Sequence, residues 1–326
     1  MATQGTLEAQ TAGDRRREAA APAPAILGRP VPDRLWRYRW AFAAGAWAIG
    51  AVAIYLTPLG GHMNPYLSLS SFVVGLLMGL TGMGSGALMT PLLIILFGVQ
   101  PTLAVGTDIT YAAVTRGLGS WRHFTQRTVD LPVALWLALG SIPAGLAGAS
   151  AVHITRRTHA ELVDAVLYRT IGAALVLVGT LLVVRLVVRG LGDRPDRDNT
   201  LENIHLSLRR KLATVAFGAA AGFTVGVTSV GGGTLLVTVL ILFYPLAASR
   251  VVGTVLFHSL LLLAATGVVQ WRFGNVDPAL VGALLLGSVP GVILGSHMTL
   301  KTPGNVLRGI VGLVLLASGV ALLLKA

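Results

Sequence analysis

Long apolar runs separated by short polar stretches set the pattern of this chain. They fall near residues 40–57, 67–98, 101–122, 131–152, 166–188, 212–244, 249–271, 278–298 and 305–325. A helix needs about 20 predominantly apolar residues to cross a bilayer. A barrel would alternate polar and apolar residues in short segments, and these runs do not. The pattern therefore predicts an all-α polytopic membrane protein. Two of the runs, 67–98 and 212–244, are longer than one crossing and are interrupted. The first contains GLTGMGSGALMTP (79–91), where Gly79, Gly82, Gly84 and Gly86 crowd together and Pro91 follows. Glycine weakens a helix by roughly 1 kcal/mol and proline by more.

The second interruption repeats the first. A shift of 147 residues lays GLLMGLTGMGSGAL (75–88) on GFTVGVTSVGGGTL (222–235). The same shift lays Gly106-Thr107 on Gly253-Thr254, Val129-Asp130 on Val276-Asp277, and GSIPAG (140–145) on GSVPGV (287–292). Beyond that the register slips by seven, and VLYRTIG (166–172) matches VLRGIVG (306–312). Chance periodicities do not hold one register over such a distance, so the chain reads as a duplication.

Charge then orients the halves. Residues 1–34 lack an apolar face and read as a disordered cytoplasmic tail; Arg15-Arg16-Arg17 are not followed by the apolar core of a cleavable signal. An extra N-terminal helix, 35–58, begins among Arg34, Arg37 and Arg39, which hold the N-terminus inside. Repeat 1 spans 67–188, a basic cytoplasmic linker 189–211, and repeat 2 212–326. If 67–98 dips in and returns, each half crosses three times and the second half is inverted, an arrangement common in secondary transporters. The count is then seven crossings plus two broken, re-entrant segments. The loop 122–130 falls inside, and a loop 153–165 outside.

Composition supports the membrane class. The chain is 54% hydrophobic and 12% charged, with mean hydropathy +0.75, whereas soluble domains carry about 25% charged residues. The net charge of +12 lies mostly in tails and loops. That points to anionic lipid headgroups rather than nucleic acid. The absence of cysteine excludes disulfides and thiolate metal sites. No cofactor or metal is called for. Small-residue faces suit a homodimer and internal packing equally well.

The chemistry is concentrated at the breaks. Non-helical backbone at membrane depth survives only where protein or water covers it. Matched breaks in two halves point to a transport site. A helix restarting after a break offers free N–H groups and a positive dipole end, which attract anions. The expected anion cradle comprises Thr81, Gly82, Gly84, Ser85 and Gly86 with Thr228, Ser229, Gly231, Gly232, Gly233 and Thr234. The repeat-matched Thr107 and Thr254 join it, although such hydroxyls often bond back to their own helix. Gly75/Gly79, Gly82/Gly86 and Gly222/Gly226 also have the spacing of plain helix packing. GMGSGA (82–87) satisfies a loose dinucleotide motif, but it lacks the strand and the acidic residue that motif needs.

Ionisable groups at membrane depth are functional candidates. Asp108 maps onto Val255, so it breaks the symmetry; Arg116 lies two turns further along the same face. They read either as a structural polar pair or as groups for proton coupling and anion neutralisation. His258, mapping onto Tyr111, reads as a packed core residue or as a proton carrier. Arg250, Gln270, Trp271 and Arg272 read as interfacial anchors. Pro143 and Pro290 should kink their helices.

These motifs resemble the sulfite exporter TauE/SafE family, also called the 4-toluene sulfonate uptake permease family. The likeness lies in residues 75–94, in the run from Pro101 to Thr107, and in 222–233, and it extends over about 67–325. It implies a multi-pass bacterial inner-membrane permease, often an exporter, for sulfite, sulfonates or related small anions. From the residues themselves, a secondary transporter working by alternating access competes with a passive anion channel sharing the same cradle. An intramembrane enzyme using Ser85 and His258, and a purely structural scaffold, are remoter alternatives.

Overall fold

In a computed structural model of the chain, the described residues are 25–26, 29–30, 65–81, 87–125, 128–187, 207–233, 236–237, 239–240, 244, 248–298 and 304–326. The chain divides into two units, 1–57 and 58–326. In the first, β1 (Ala25–Ile26) and β2 (Arg29–Pro30) pair antiparallel. The expected tail, apart from these four residues, and the expected helix 35–58 lie outside the described residues.

The described part of the second unit is helical: α1 (Pro65–Thr81), α2 (Met89–Ile95), α3 (Pro101–Thr125), α4 (Leu131–Thr158), α5 (Ala160–Val187), α6 (Leu208–Thr228), α7 (Ala248–Arg272), α8 (Pro278–Met298) and α9 (Gly304–Lys325). The shift of 147 carries α3 onto α7 and the start of α4 onto the start of α8. Among the described residues, α4, α5, α6, α7 and α8 are long and apolar enough to cross a membrane. The apolar stretches in α1 and α9 are shorter. α3 has the length, but Asp108, Arg116 and Arg122 lower its hydropathy. Pro143 and Pro290 lie inside α4 and α8.

The loop expected at 153–165 is absent: α4 runs to Thr158, and His159 alone separates it from α5. Hydropathy marks where the lipid ends, not where the helix ends. The stretch beyond contains no glycine or proline to stop it. Arg156 and Arg157 close α4 and Glu161 opens α5, each complementing the helix dipole.

Contacts recur in pairs related by the same shift. The Asp130 amide donates to Thr254 Oγ1 at 2.9 Å, and the Asp277 amide donates to Thr107 Oγ1 at 3.2 Å. Gly106 lies on the Asn275 carbonyl, and Gly253 on that of Thr128. Gly75 lies on Ser288, and Gly222 on Ser141; Gly287 lies on Ser68, and Gly140 on Val215.

Helix directions follow from these contacts. Leu137, Ser141 and Gly145 of α4 meet Gly218, Gly222 and Gly226 of α6 in step, so α4 and α6 run parallel. α4 also parallels α7: Asp130 meets Thr254, Ser141 meets His258, and Gly145 meets Leu262 and Thr266. Hence α6 and α7 start from the same side. Gly148 of α4 lies against Val227, near the end of α6, while α4 continues for a further ten residues, about 15 Å. α6 therefore stops partway along its neighbour. α3 and α7 run antiparallel, with Gly117 against Leu260 and Gly119 against Leu256. α5 and α9 do likewise, with Gly172 against Gly319 and Gly179 against Gly312.

Two helix starts are fixed by aspartate caps. Asp277 Oδ1 accepts from the Ala279 and Leu280 amides at 2.8 and 3.1 Å, and Asp130 Oδ1 accepts from Val133 at 3.2 Å. Asp130 also meets Arg250 at 3.3 Å, the one ion pair among the described residues. Arg250 and Gln270 are buried instead of anchoring at an interface, because each has a polar partner: Asp130, in the turn before α4, for Arg250, and Asn275, in the turn that follows α7, for Gln270. Trp271 is exposed. Asp277→Ala should cost about 1 kcal/mol through its lost cap. A melting temperature equal to that of the unaltered chain would contradict the cap's contribution.

Candidate functional site

The interruption at TSVGGG is visible where α6 ends. Thr228 is its last residue, and Ser229 takes a left-handed conformation with φ 60°. Gly231 follows at φ 96°, a region open to glycine and costly for other residues. The Ser229 amide closes the helix onto Val225 O at 2.7 Å. Thr228 Oγ1 donates back to Thr224 O at 2.7 Å and accepts from the Val230 amide at 3.1 Å. A left-handed serine stores roughly 1–3 kcal/mol of strain and persists where its surroundings hold it. Here the holder is Asp108: Ser229 Oγ donates to its Oδ2 at 2.9 Å.

Asp108 is fully buried on α3. Its Oδ2 also accepts from Thr90 Oγ1 of α2 at 2.6 Å, while Oδ1 has no hydrogen-bond partner among the described residues. One carboxylate thus ties together α2, α3 and the broken end of α6.

Beside this junction lies a small cavity lined by Ala112 and Arg116 of α3, Val225 of α6, Ser229 and Gly232 of the break, and Ser259, Leu262 and Leu263 of α7. Arg116 is 7% exposed and Ser259 is 1% exposed. The buried Nε of Arg116 and the hydroxyl of Ser259 have no hydrogen-bond partner among the described residues. Burying such groups without a partner is expensive. A guest with acceptor oxygens would satisfy both. Ala112 and Ser259 are related by the shift of 147, as are Arg116 and Leu263. The cavity thus lies where equivalent faces of the two halves meet, but only one half supplies the charge.

The other candidate residues are placed as follows. Ser229 and Gly232 line the cavity; Thr228, Gly231 and Gly233 lie at the same break. Thr107 and Thr254 are buried and receive the Asp277 and Asp130 amides. His258 is buried against Ser141, Nε2 to Oγ 2.7 Å, and is not among the cavity lining. Thr81 closes α1. Gly82, Gly84, Ser85, Gly86 and Thr234 lie outside the described residues. No group of three or more His, Cys, Asp or Glu that could hold a metal occurs among the described residues.

Sequence reasoning missed Ser259, Thr90 and Asp130. The position of Ser259 was legible: it is the residue 147 beyond Ala112 and lies three and four residues before Leu262 and Leu263. Asp130 stood in a repeat-matched Val-Asp pair, each aspartate one or two residues before a proline, which is a helix-start signature.

The sequence profile of the family described as sulfite exporter TauE/SafE matches residues 67–322. A probable membrane transporter protein of Bacillus subtilis, YjnA, is 37% identical over 261 residues, covering 80% of this chain and 100% of the relative. Another from that organism, YdhB, is 25% identical over 77% of this chain and 97% of its own length. A probable membrane transporter protein of Xylella fastidiosa is 25% identical over 76% of this chain and 90% of its own. No solved structure matches the chain.

Proposed function

The chain belongs to the sulfite exporter TauE/SafE family of membrane transporters, and on that premise we propose that it is a secondary permease for small sulfur-containing or organic anions. The observation that carries this reading is the buried Arg116, its Nε without a partner, lining a cavity beside the broken end of α6. A buried guanidinium is costly unless negative charge neutralises it, and Asp108 on the same helix attracts Arg116 through space without forming an ion pair with it. Ser259 and Ser229 add hydroxyl donors, and Gly232 lets backbone approach closely. Sulfite, a sulfonate or a small carboxylate has the charge and the acceptor oxygens to match these donors; the cavity, about 10 Å³ here, has room for one water and widens to admit such an anion. The carrier sits in the bacterial inner membrane, with the basic linker 189–211 and the N-terminus on the cytoplasmic side.

Transport proceeds by rocking of two inverted halves, 67–188 and 212–326, about the site. The reciprocal contacts support this reading, since each pair exchanges under one shift. α3 and α7 correspond under that shift and run antiparallel, so the operation relating them turns one end over the other. For membrane-crossing helices, that axis lies in the membrane plane.

The test is direct. Purified protein should gain thermal stability with methanesulfonate, sulfite or taurine, by about 2.7 kcal/mol at a hundred times the dissociation constant. The same anions should exchange across liposomes containing the protein. No stabilisation and no exchange with any of them would remove the anion reading.

A further inference from the structure

Ser229 belongs to two places at once. Its hydroxyl lines the cavity, and the same hydroxyl donates to Asp108 Oδ2. A serine hydroxyl carries one hydrogen. An anion oxygen arriving in the cavity and the carboxylate of Asp108 therefore compete for the same donor. Without that hydrogen, two negative charges would share a buried junction whose lining offers one cation, Arg116, and the Asp108 Oδ1 has no hydrogen-bond partner among the described residues.

We propose that Asp108 takes up one proton for each anion that binds, with Ser229 as the positioning residue that links the two events. In the empty site the Ser229 hydroxyl donates to the Asp108 carboxylate. When an anion seats against Arg116, that hydroxyl turns its hydrogen to an anion oxygen. A proton from solution forms an O–H bond on Asp108, which then donates to Ser229 Oγ. No electrons move; one negative and one positive charge enter together, so a monoanion crosses without net charge.

The surroundings leave this role to Asp108. On its own helix it is accompanied by Arg116 and by Tyr111, whose hydroxyl points to Met78 Sδ at 3.9 Å. From α2 it meets Thr90, and from the break Ser229. On α7 the equivalent position is Val255, and the ionisable His258 is bonded to Ser141. No second carboxylate shares the junction among the described residues.

The inference rests on the anion site, and the test separates the two. Methanesulfonate stays ionised throughout the working pH range, so any proton counted belongs to the protein. Full-length protein in weakly buffered detergent, titrated with methanesulfonate and a pH indicator, should take up one proton per anion bound. Linkage then makes affinity fall tenfold per pH unit on the alkaline side. Asp108→Asn should abolish the uptake and flatten the pH dependence. Ser229→Ala should keep Asp108 yet bring the uptake well below one. Binding without proton uptake in the unaltered protein overturns the inference while the anion site stands. A proton count of one that persists in Asp108→Asn also overturns it. Failure to bind methanesulfonate, sulfite and taurine alike removes the anion site and this inference with it. The unaltered protein's count and slope decide the matter even where a variant does not fold.

Discussion

Arg116→Leu yields a folded protein whose response to methanesulfonate is strongly weakened. The fold should tolerate the change, because leucine is what the other half carries at the equivalent position, Leu263, on the opposite wall of the same cavity. Asp108 keeps its two hydroxyl donors, Thr90 and Ser229. What disappears is the positive charge facing the guest. A hydrogen bond to a charged group is worth about 1.5–3 kcal/mol, so binding should weaken by roughly 10- to 150-fold. Arg116→Lys keeps the charge but loses the planar fork that suits an oxyanion. It should fall between the two. Ligand-induced shifts in melting temperature and exchange in liposomes read both variants. Equal responses in Arg116→Leu and the unaltered chain would contradict the role given to this residue.

The second large effect is on stability. A methyl group at Gly222 would overlap the backbone of Ser141, and one at Gly75 would meet Ser288 O at 2.5 Å and Cα at 2.7 Å. Backbone cannot step aside as a side-chain end can. Gly222→Ala and Gly75→Ala should each destabilise the chain by about 3 kcal/mol, the upper part of the range for atoms forced into a packed interior. Gly117→Ala is the control, since its nearest atom would be Leu260 Cδ1 at 3.8 Å. Thermal melts of the three variants should show two large losses and one near-neutral result. A small effect at Gly222 would mean that α4 and α6 do not touch as described.

How much of this was legible in the sequence depends on which force is in question. The shift of 147 found in the amino-acid sequence places α3 over α7 and α4 over α8 with their starts in register. Apolar runs and caps are local signals, and duplication copies them. The interruption at Ser229–Gly231 was also legible, because consecutive glycines weaken a helix enough for it to end there. The boundary between α4 and α5 was not. Arg156, Arg157 and Glu161 read as loop by polarity, yet helices continue past the lipid wherever propensity and dipole favour it.

Tertiary polar contacts were the least legible. Arg250 sits at the start of an apolar run and reads as an anchor; only the folded chain brings Asp130, 120 residues away in sequence, against it. The glycines at 222 and 226 carry both readings at once: they pack α6 onto α4 and lead directly into the break. The sequence placed the expected anion attraction in backbone amides. The cavity instead presents a side chain, Arg116, whose helical position was visible but whose facing wall on α7 was not.

The proposed site holds the guest anion between the two halves at the broken end of α6. Crystals grown with bromomethanesulfonate test it most directly, because bromine marks the anion by anomalous scattering. A peak is expected in the cavity, with sulfonate oxygens within hydrogen-bond distance of Arg116 and of Ser229 or Ser259. A bound anion found elsewhere, with that cavity empty, would contradict it.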